Sequence, residues 1–196
     1  KEKPADTAGK QAAATIGQCE LMFMYDKLFG EYGHTVGQLL ITKSDVENDE
    51  RRQNLINTFN RLFDFGAIPV INENDSVAVE EIVYGDNDSL SAIVAKLINA
   101  DALIILTDID GLYDSNPNEN EDAKLIPLVT EIDEDLYKIA GGKGSSLGTG
   151  GMVTKLHAAE ITMAAGIDTI VMNGENPTEI YKALDGKQVG TFFKGK

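Results

Sequence analysis

From Lys10 to the C-terminus, segments with helical spacing alternate with short apolar runs, and few architectures accept that order. Lys10 to Phe29 reads as a helix, and VGQLLIT, Val36 to Thr42, as a short buried strand. Arg51 to Phe65 spaces Leu55, Ile56, Phe59, Leu62 and Phe63 as a helix does and is closed by Gly66. AIPVI, Ala67 to Ile71, is the next strand. Asp88 to Asn99 is helical, and ALIILT, Ala102 to Thr107, is the clearest buried strand. Met152 to Ala165 is a helix ending at Gly166, and DTIVM, Asp168 to Met172, follows as a strand. NPTEIYKAL opens the last helix with Pro177 near its first turn, and VGTFF is a final strand. Strands separated by helices predict an α/β domain with a mainly parallel sheet and helices on both faces.

In such sheets ligands bind beyond the carboxyl ends of the strands. INENDS, TDIDGLYDSNP and MNGEN fall at those places, so chemistry is expected there. The chain has 196 residues, enough for one domain with a sizeable core and too few to expect two. It carries a formal charge of −15, which disfavours nucleic acid and anionic membranes as partners and reads mainly as a solvated acidic surface. No apolar run reaches the roughly 20 residues of a membrane-spanning helix. The single cysteine, Cys19, cannot form an internal disulfide, suits a reducing cytoplasm, and in its helical run is expected to be a buried structural thiol. With only His34 and His157 and no Cys–His cluster, zinc has no support, and no metal ligand is assigned.

Three segments could carry chemistry. Asn72 to Ala92 gathers Asn72, Glu73, Asn74, Asp75, Asp86, Asn87 and Asp88 around a short hairpin-like excursion. Amide side chains donate and accept at once, which suits an amino acid's ammonium and carboxylate. The alternative is that Asp86, Asn87 and Asp88 only cap the following helix. Leu106 to Pro117 runs a buried strand into Thr107, Asp108, Asp110 and Gly111. An EF-hand calcium loop counted from Asp108 would need glycine at its sixth position, where Tyr113 stands, and so fails. Gly141 to Glu160 is glycine-dense and feeds a helix bearing Lys155. A surface loop would also be glycine-rich, but a lysine one turn into the helix favours phosphate binding by backbone amides and the helix N-terminus. It is not a Walker loop, because Gly-Lys-Ser/Thr is absent. An amino-acid pocket beside a phosphate-cradling loop points to phosphoryl transfer.

INENDSVAVEEI with GDNDSLSA, then LIILTDIDGLYDSNP, SLGTGGMVTKLHAAEI, GIDTIVMNG and VGTFF, stand in the order found in glutamate 5-kinases. The chain resembles that branch of the amino acid kinase family from KQAAATIGQ onward. The resemblance implies the amino acid kinase fold, a three-layer sandwich with a mainly parallel central sheet, as one domain over residues 1–196. It implies ATP and L-glutamate giving ADP and glutamyl 5-phosphate, the first step of proline biosynthesis, with Mg2+. Residue by residue it implies Asp75, Asn87 and Asn72 as substrate-binding, and Asp88 as the aspartate orienting catalytic lysines. Thr107, Asp108 and the loop Thr149, Gly150, Gly151, Met152, Val153, Thr154 and Lys155 would bind ATP, with Lys155 also stabilising the transferring phosphoryl group. No general base is needed, because a glutamate carboxylate is already ionised at neutral pH.

The resemblance further implies a cytoplasmic homo-oligomer, dimer or tetramer, inhibited by proline. In the family an opening strand, a glycine turn with a second catalytic lysine and a small substrate-contacting segment precede the part seen here. The expectation is therefore an N-terminally incomplete domain, of the short form without a PUA domain. The rivals are an acetylglutamate or uridylate kinase of the same fold, and a non-catalytic amino-acid-binding module, which would have no use for the glycine loop.

Overall fold

The computed structural model describes residues 4–78, 86–117, 119–141 and 151–196, divided between two compact units, Lys1–Val83 and Tyr84–Lys196. The first unit contains α1 (Thr7–Gly30), β1 (Val36–Ile41), α2 (Lys43–Glu47), α3 (Asp49–Asp64) and β2 (Ile68–Glu73). The second contains α4 (Asn87–Leu97), β3 (Ala102–Thr107), β4 (Leu128–Val129), α5 (Glu134–Ala140), α6 (Met152–Ala164), β5 (Asp168–Asn173), α7 (Glu179–Leu184) and β6 (Thr191–Phe193).

In the first unit β1 and β2 pair in parallel, from Val36 opposite Ile68 to Ile41 opposite Glu73. Successive strand residues point to opposite faces. Gly37 faces Leu62 of α3, while Gln38 receives a hydrogen bond from Gln18 of α1, so the two helices cover opposite faces of the pair. Gly37 has no side chain because a Cβ there would stand 3.0 Å from the Leu62 side chain. The start of α1 is set by Asp6, whose carboxylate accepts the Gly9 N–H at 2.8 Å.

The second unit has a four-stranded sheet in the order β3-β5-β6-β4, parallel except for the β5–β6 pair. Helices α4 and α6 pack on each other and against β3 and β5. Ala92, Ile105, Leu156, Ala159, Val171 and Phe193 lie at the centre of this core. The expectation of an α/β fold with mainly parallel strands holds in both units.

Three helix-to-strand junctions share one device. After α3, α4 and α6 the residues Gly66, Asn99 and Gly166 take positive φ (68°, 50° and 77°). In each case the next residue's N–H returns to the carbonyl five positions earlier: Ala67 to Leu62, Ala100 to Ala95 and Ile167 to Thr162, each at 2.9 Å. These Schellman closures satisfy carbonyls that a helix end leaves open and turn the chain directly into β2, β3 and β5.

Two expectations need correction. ALIILT forms the expected strand but is not buried along its length: β3 is an edge strand of its sheet, with Leu106 46% exposed, whereas β5 buries Thr169, Ile170, Val171 and Met172. A continuous apolar run does not encode sheet order. Cys19 is exposed, because α1 spreads its apolar side chains around the helix and buries none of its residues. The hairpin-like excursion proposed within Asn72 to Ala92 falls partly on residues 79–85, outside the described residues.

Thr191 ties the long connection after β3 to the sheet. Its buried hydroxyl accepts the Leu112 N–H at 2.8 Å and donates to the Ile126 carbonyl at 2.7 Å. Thr191→Val keeps the shape and strands both partners, so it should lower stability by about 1–3 kcal/mol. Urea unfolding should show a lower midpoint with an unchanged slope. A midpoint equal to wild type would contradict this role for the hydroxyl.

Candidate functional site

Asp86 is the N-cap of α4, its carboxylate accepting the Ser89 N–H at 2.8 Å. That fulfils the capping alternative for Asp86 alone. Asp88, one residue into the first turn, sends its carboxylate away from its own helix: Oδ2 accepts from Lys155 Nζ at 3.0 Å and from the Thr154 hydroxyl at 2.7 Å. Both partners lie in the first turn of α6, packed on α4. The pair is secluded, with the Lys155 side chain 9% and the Asp88 side chain 17% exposed. A buried ammonium and carboxylate are tolerable only when each fixes the other. The expected grouping of Asp88 with Lys155 is therefore present in the geometry.

At the start of α6 Gly151 is the N-cap, and among the described residues no side chain caps the helix. The Thr154 N–H turns back to the Gly151 carbonyl at 3.1 Å, and the helix dipole adds partial positive charge at that end. Lys155 is anchored at the same end. Gly151, Met152, Val153 and Thr154 are in place there, while Thr149 and Gly150 lie outside the described residues. Thr154, expected at the nucleotide, has its hydroxyl on Asp88 and on the Gly151 carbonyl, at 2.7 Å each.

Thr107 and Asp108 stand at the carboxyl end of β3, where the Thr107 hydroxyl donates to Asp108 Oδ1 at 3.1 Å. Because β5 runs parallel to β3, its end reaches the same edge. Gly174 N–H donates to the Thr107 carbonyl at 2.8 Å, and Asn173 Nδ2 to Asp110 Oδ1 at 2.9 Å. The sequence names Asp110 only within its segment, without a role, and Asn173 not at all, although MNGEN is marked by its position after a strand. Burial, together with the hydrogen bond to Asp110, raises the Tyr113 phenol above its usual pKa. Asn87 opens α4 and is exposed.

In the first unit Asp75 follows β2 and lines a cavity of about 370 Å³ with Thr15, Gln18, Cys19, Gln38 and Glu73. Asn72, on β2, donates to Gln18 Oε1 at 3.0 Å. Gln18 and Gln38 went unremarked in the sequence, since only the fold brings α1 and β1 to Asn72. Among the described residues, no three His, Cys, Asp or Glu side chains converge on a metal position. No helix among them is long and apolar enough to cross a membrane.

Residues 1–173 match the amino acid kinase family. The chain is 50% identical over 200 residues to a glutamate 5-kinase of Clostridium perfringens, covering all of this chain and 74% of that protein. It is 54% identical over 193 residues to the glutamate 5-kinase of Clostridium acetobutylicum, covering 98% of this chain and 72% of that one. Among solved structures it resembles a UMP kinase from Bacillus anthracis, with TM-score 0.64 and 17% identity over 98% of this chain and 71% of that chain. An isopentenyl phosphate kinase substrate complex gives TM-score 0.61 and 23% identity over 91% of this chain and 67% of that chain. At such identities the structural likeness speaks for the fold alone. Fold, motif order and half-identical relatives agree: the chain belongs to the amino acid kinase family, in its glutamate 5-kinase branch.

Proposed function

We propose that the protein transfers the γ-phosphoryl group of ATP to the side-chain carboxylate of L-glutamate, the first step of proline biosynthesis. A glutamate carboxylate oxygen attacks the γ-phosphorus, the bond to the β–γ bridging oxygen breaks, and ADP and glutamyl 5-phosphate leave. The nucleophile is already ionised, so the protein has to position it and stabilise charge on the transferring oxygens. The observation that carries this reading is the Lys155–Asp88 pair at the amino end of α6. Lys155 would hold the phosphoryl oxygens, Asp88 would fix the direction of its ammonium, and the N–H groups after Gly151 would take the nucleotide phosphates. A non-catalytic amino-acid-binding module has no use for such a pair.

Thr107 and Asp108 are proposed as nucleotide contacts, and Asp75, Asn87 and Asn72 as glutamate contacts. Magnesium would arrive with the nucleotide and neutralise phosphate charge, consistent with its habit of binding through substrate phosphates and water. A cytoplasmic location, a homo-oligomeric state and inhibition by proline are proposed from the resemblance to glutamate 5-kinases.

Asp75→Ala and Asn87→Ala, made singly in the active enzyme, should each weaken glutamate binding by about 1–3 kcal/mol, with the ATP KM nearly unchanged. Steady-state kinetics with each substrate varied in turn measures this. Unchanged glutamate KM beside a raised ATP KM would reverse the assignment.

A further inference from the structure

Asn72 is held at both ends of its amide. The Glu73 backbone N–H, which can only donate, bonds Asn72 Oδ1 at 3.0 Å. That fixes which end of the amide is oxygen, so Asn72 Nδ2 must donate at the other end, and it meets Gln18 Oε1 at 3.0 Å. With its oxygen so assigned, Gln18 turns its Nε2 to Gln38 Oε1 at 3.2 Å. The order of donors and acceptors is thus set from the backbone outward, through β2, α1 and β1. Asn72 keeps one N–H and one lone pair for a ligand, the pairing that an amino acid's carboxylate and ammonium require. Gln18 and Gln38 both line the cavity that Asp75 also lines.

We infer that Gln18 is a positioning residue for glutamate recognition, acting through Asn72: it fixes the amide so that the remaining donor and acceptor meet the substrate. The inference rests on the proposed role of Asn72 as a glutamate contact. An unheld asparagine samples both amide orientations and other rotamers, and the substrate would have to select one of them.

The test uses Gln18→Ala, Gln18→Met, Asn72→Ala and the double variant Gln18→Met/Asn72→Ala in the active enzyme, with kcat and both KM values measured. Methionine keeps the length and most of the packing of glutamine but offers no oxygen acceptor of this kind. Both Gln18 variants should raise the glutamate KM by about tenfold, with kcat and ATP KM within about twofold of wild type. Asn72→Ala should raise the glutamate KM at least as much, and adding Gln18→Met should raise it no further. Recovery of a wild-type KM by methionine but not alanine would reduce Gln18 to a packing residue and overturn the inference. A raised KM in Asn72→Ala with normal values in both Gln18 variants would also overturn it. A normal KM in Asn72→Ala would overturn the substrate role of Asn72 itself, and this inference with it.

Discussion

Lys155→Met in the active enzyme is expected to lower turnover by about 10²–10³-fold, the usual cost of removing one preorganised donor to a developing charge. The glutamate KM should move by no more than about threefold, because the lost interaction strengthens only as charge gathers on the transferring oxygens. Methionine matches the lysine stem and fills the buried site on α6, so packing loss does not imitate the effect. Lys155→Arg should not restore activity: a planar guanidinium cannot take the place of an ammonium held 3.0 Å from Asp88 Oδ2. Steady-state kinetics of the three proteins decides, and near wild-type turnover in Lys155→Met would remove the lysine from the mechanism.

Asp88 should show the second large effect, on activity and stability together. Asp88→Ala removes the carboxylate that the buried Lys155 ammonium and the Thr154 hydroxyl both meet, while Thr154 keeps the Gly151 carbonyl. Breaking a buried pair from one side costs roughly 3–5 kcal/mol. Asp88→Asn keeps an oxygen for both neighbours and should fold better, yet lose turnover by about 10²-fold because the ammonium is no longer held by charge. Asp86→Ala is the comparison. As the N-cap of α4, Asp86 should cost about 1 kcal/mol of stability and leave turnover close to wild type. Urea unfolding and kinetics on the three variants separate the two aspartates, and equal turnover in Asp86→Ala and Asp88→Asn would contradict the distinction.

Much of this was legible in the sequence, for identifiable reasons. Gly66 and Gly166 marked helix ends correctly because positive φ has a residue preference, and Asn99 fills the same place less conspicuously. The alternation of helix and strand gave α3, α4, α6, β1, β2, β3 and β5 within a few residues of their ends. The short pieces α2, α5 and β4 escaped: they are 5, 7 and 2 residues long, too short for any hydrophobic period. Cys19 was misplaced because an apolar neighbourhood in sequence does not say which side of a helix is covered. At the site, Asp88 and Lys155 were both named, and the resemblance had linked Asp88 to the catalytic lysines. The Thr154 hydroxyl on Asp88 was not foreseen, being a contact between residues 66 apart in the chain. The same limit hid Gln18, which lies 54 residues from Asn72 and has no local pattern to mark it.

Glutamate as phosphoryl acceptor is tested most directly by supplying ATP, Mg2+ and one acceptor at a time, with hydroxylamine present to trap acyl phosphates. ADP should form with L-glutamate, and mass spectrometry should find the γ-glutamyl hydroxamate in equal amount. N-acetylglutamate and UMP should give neither ADP above background nor a trapped or phosphorylated product. ADP formation driven by N-acetylglutamate or UMP, with L-glutamate inert, would contradict the account.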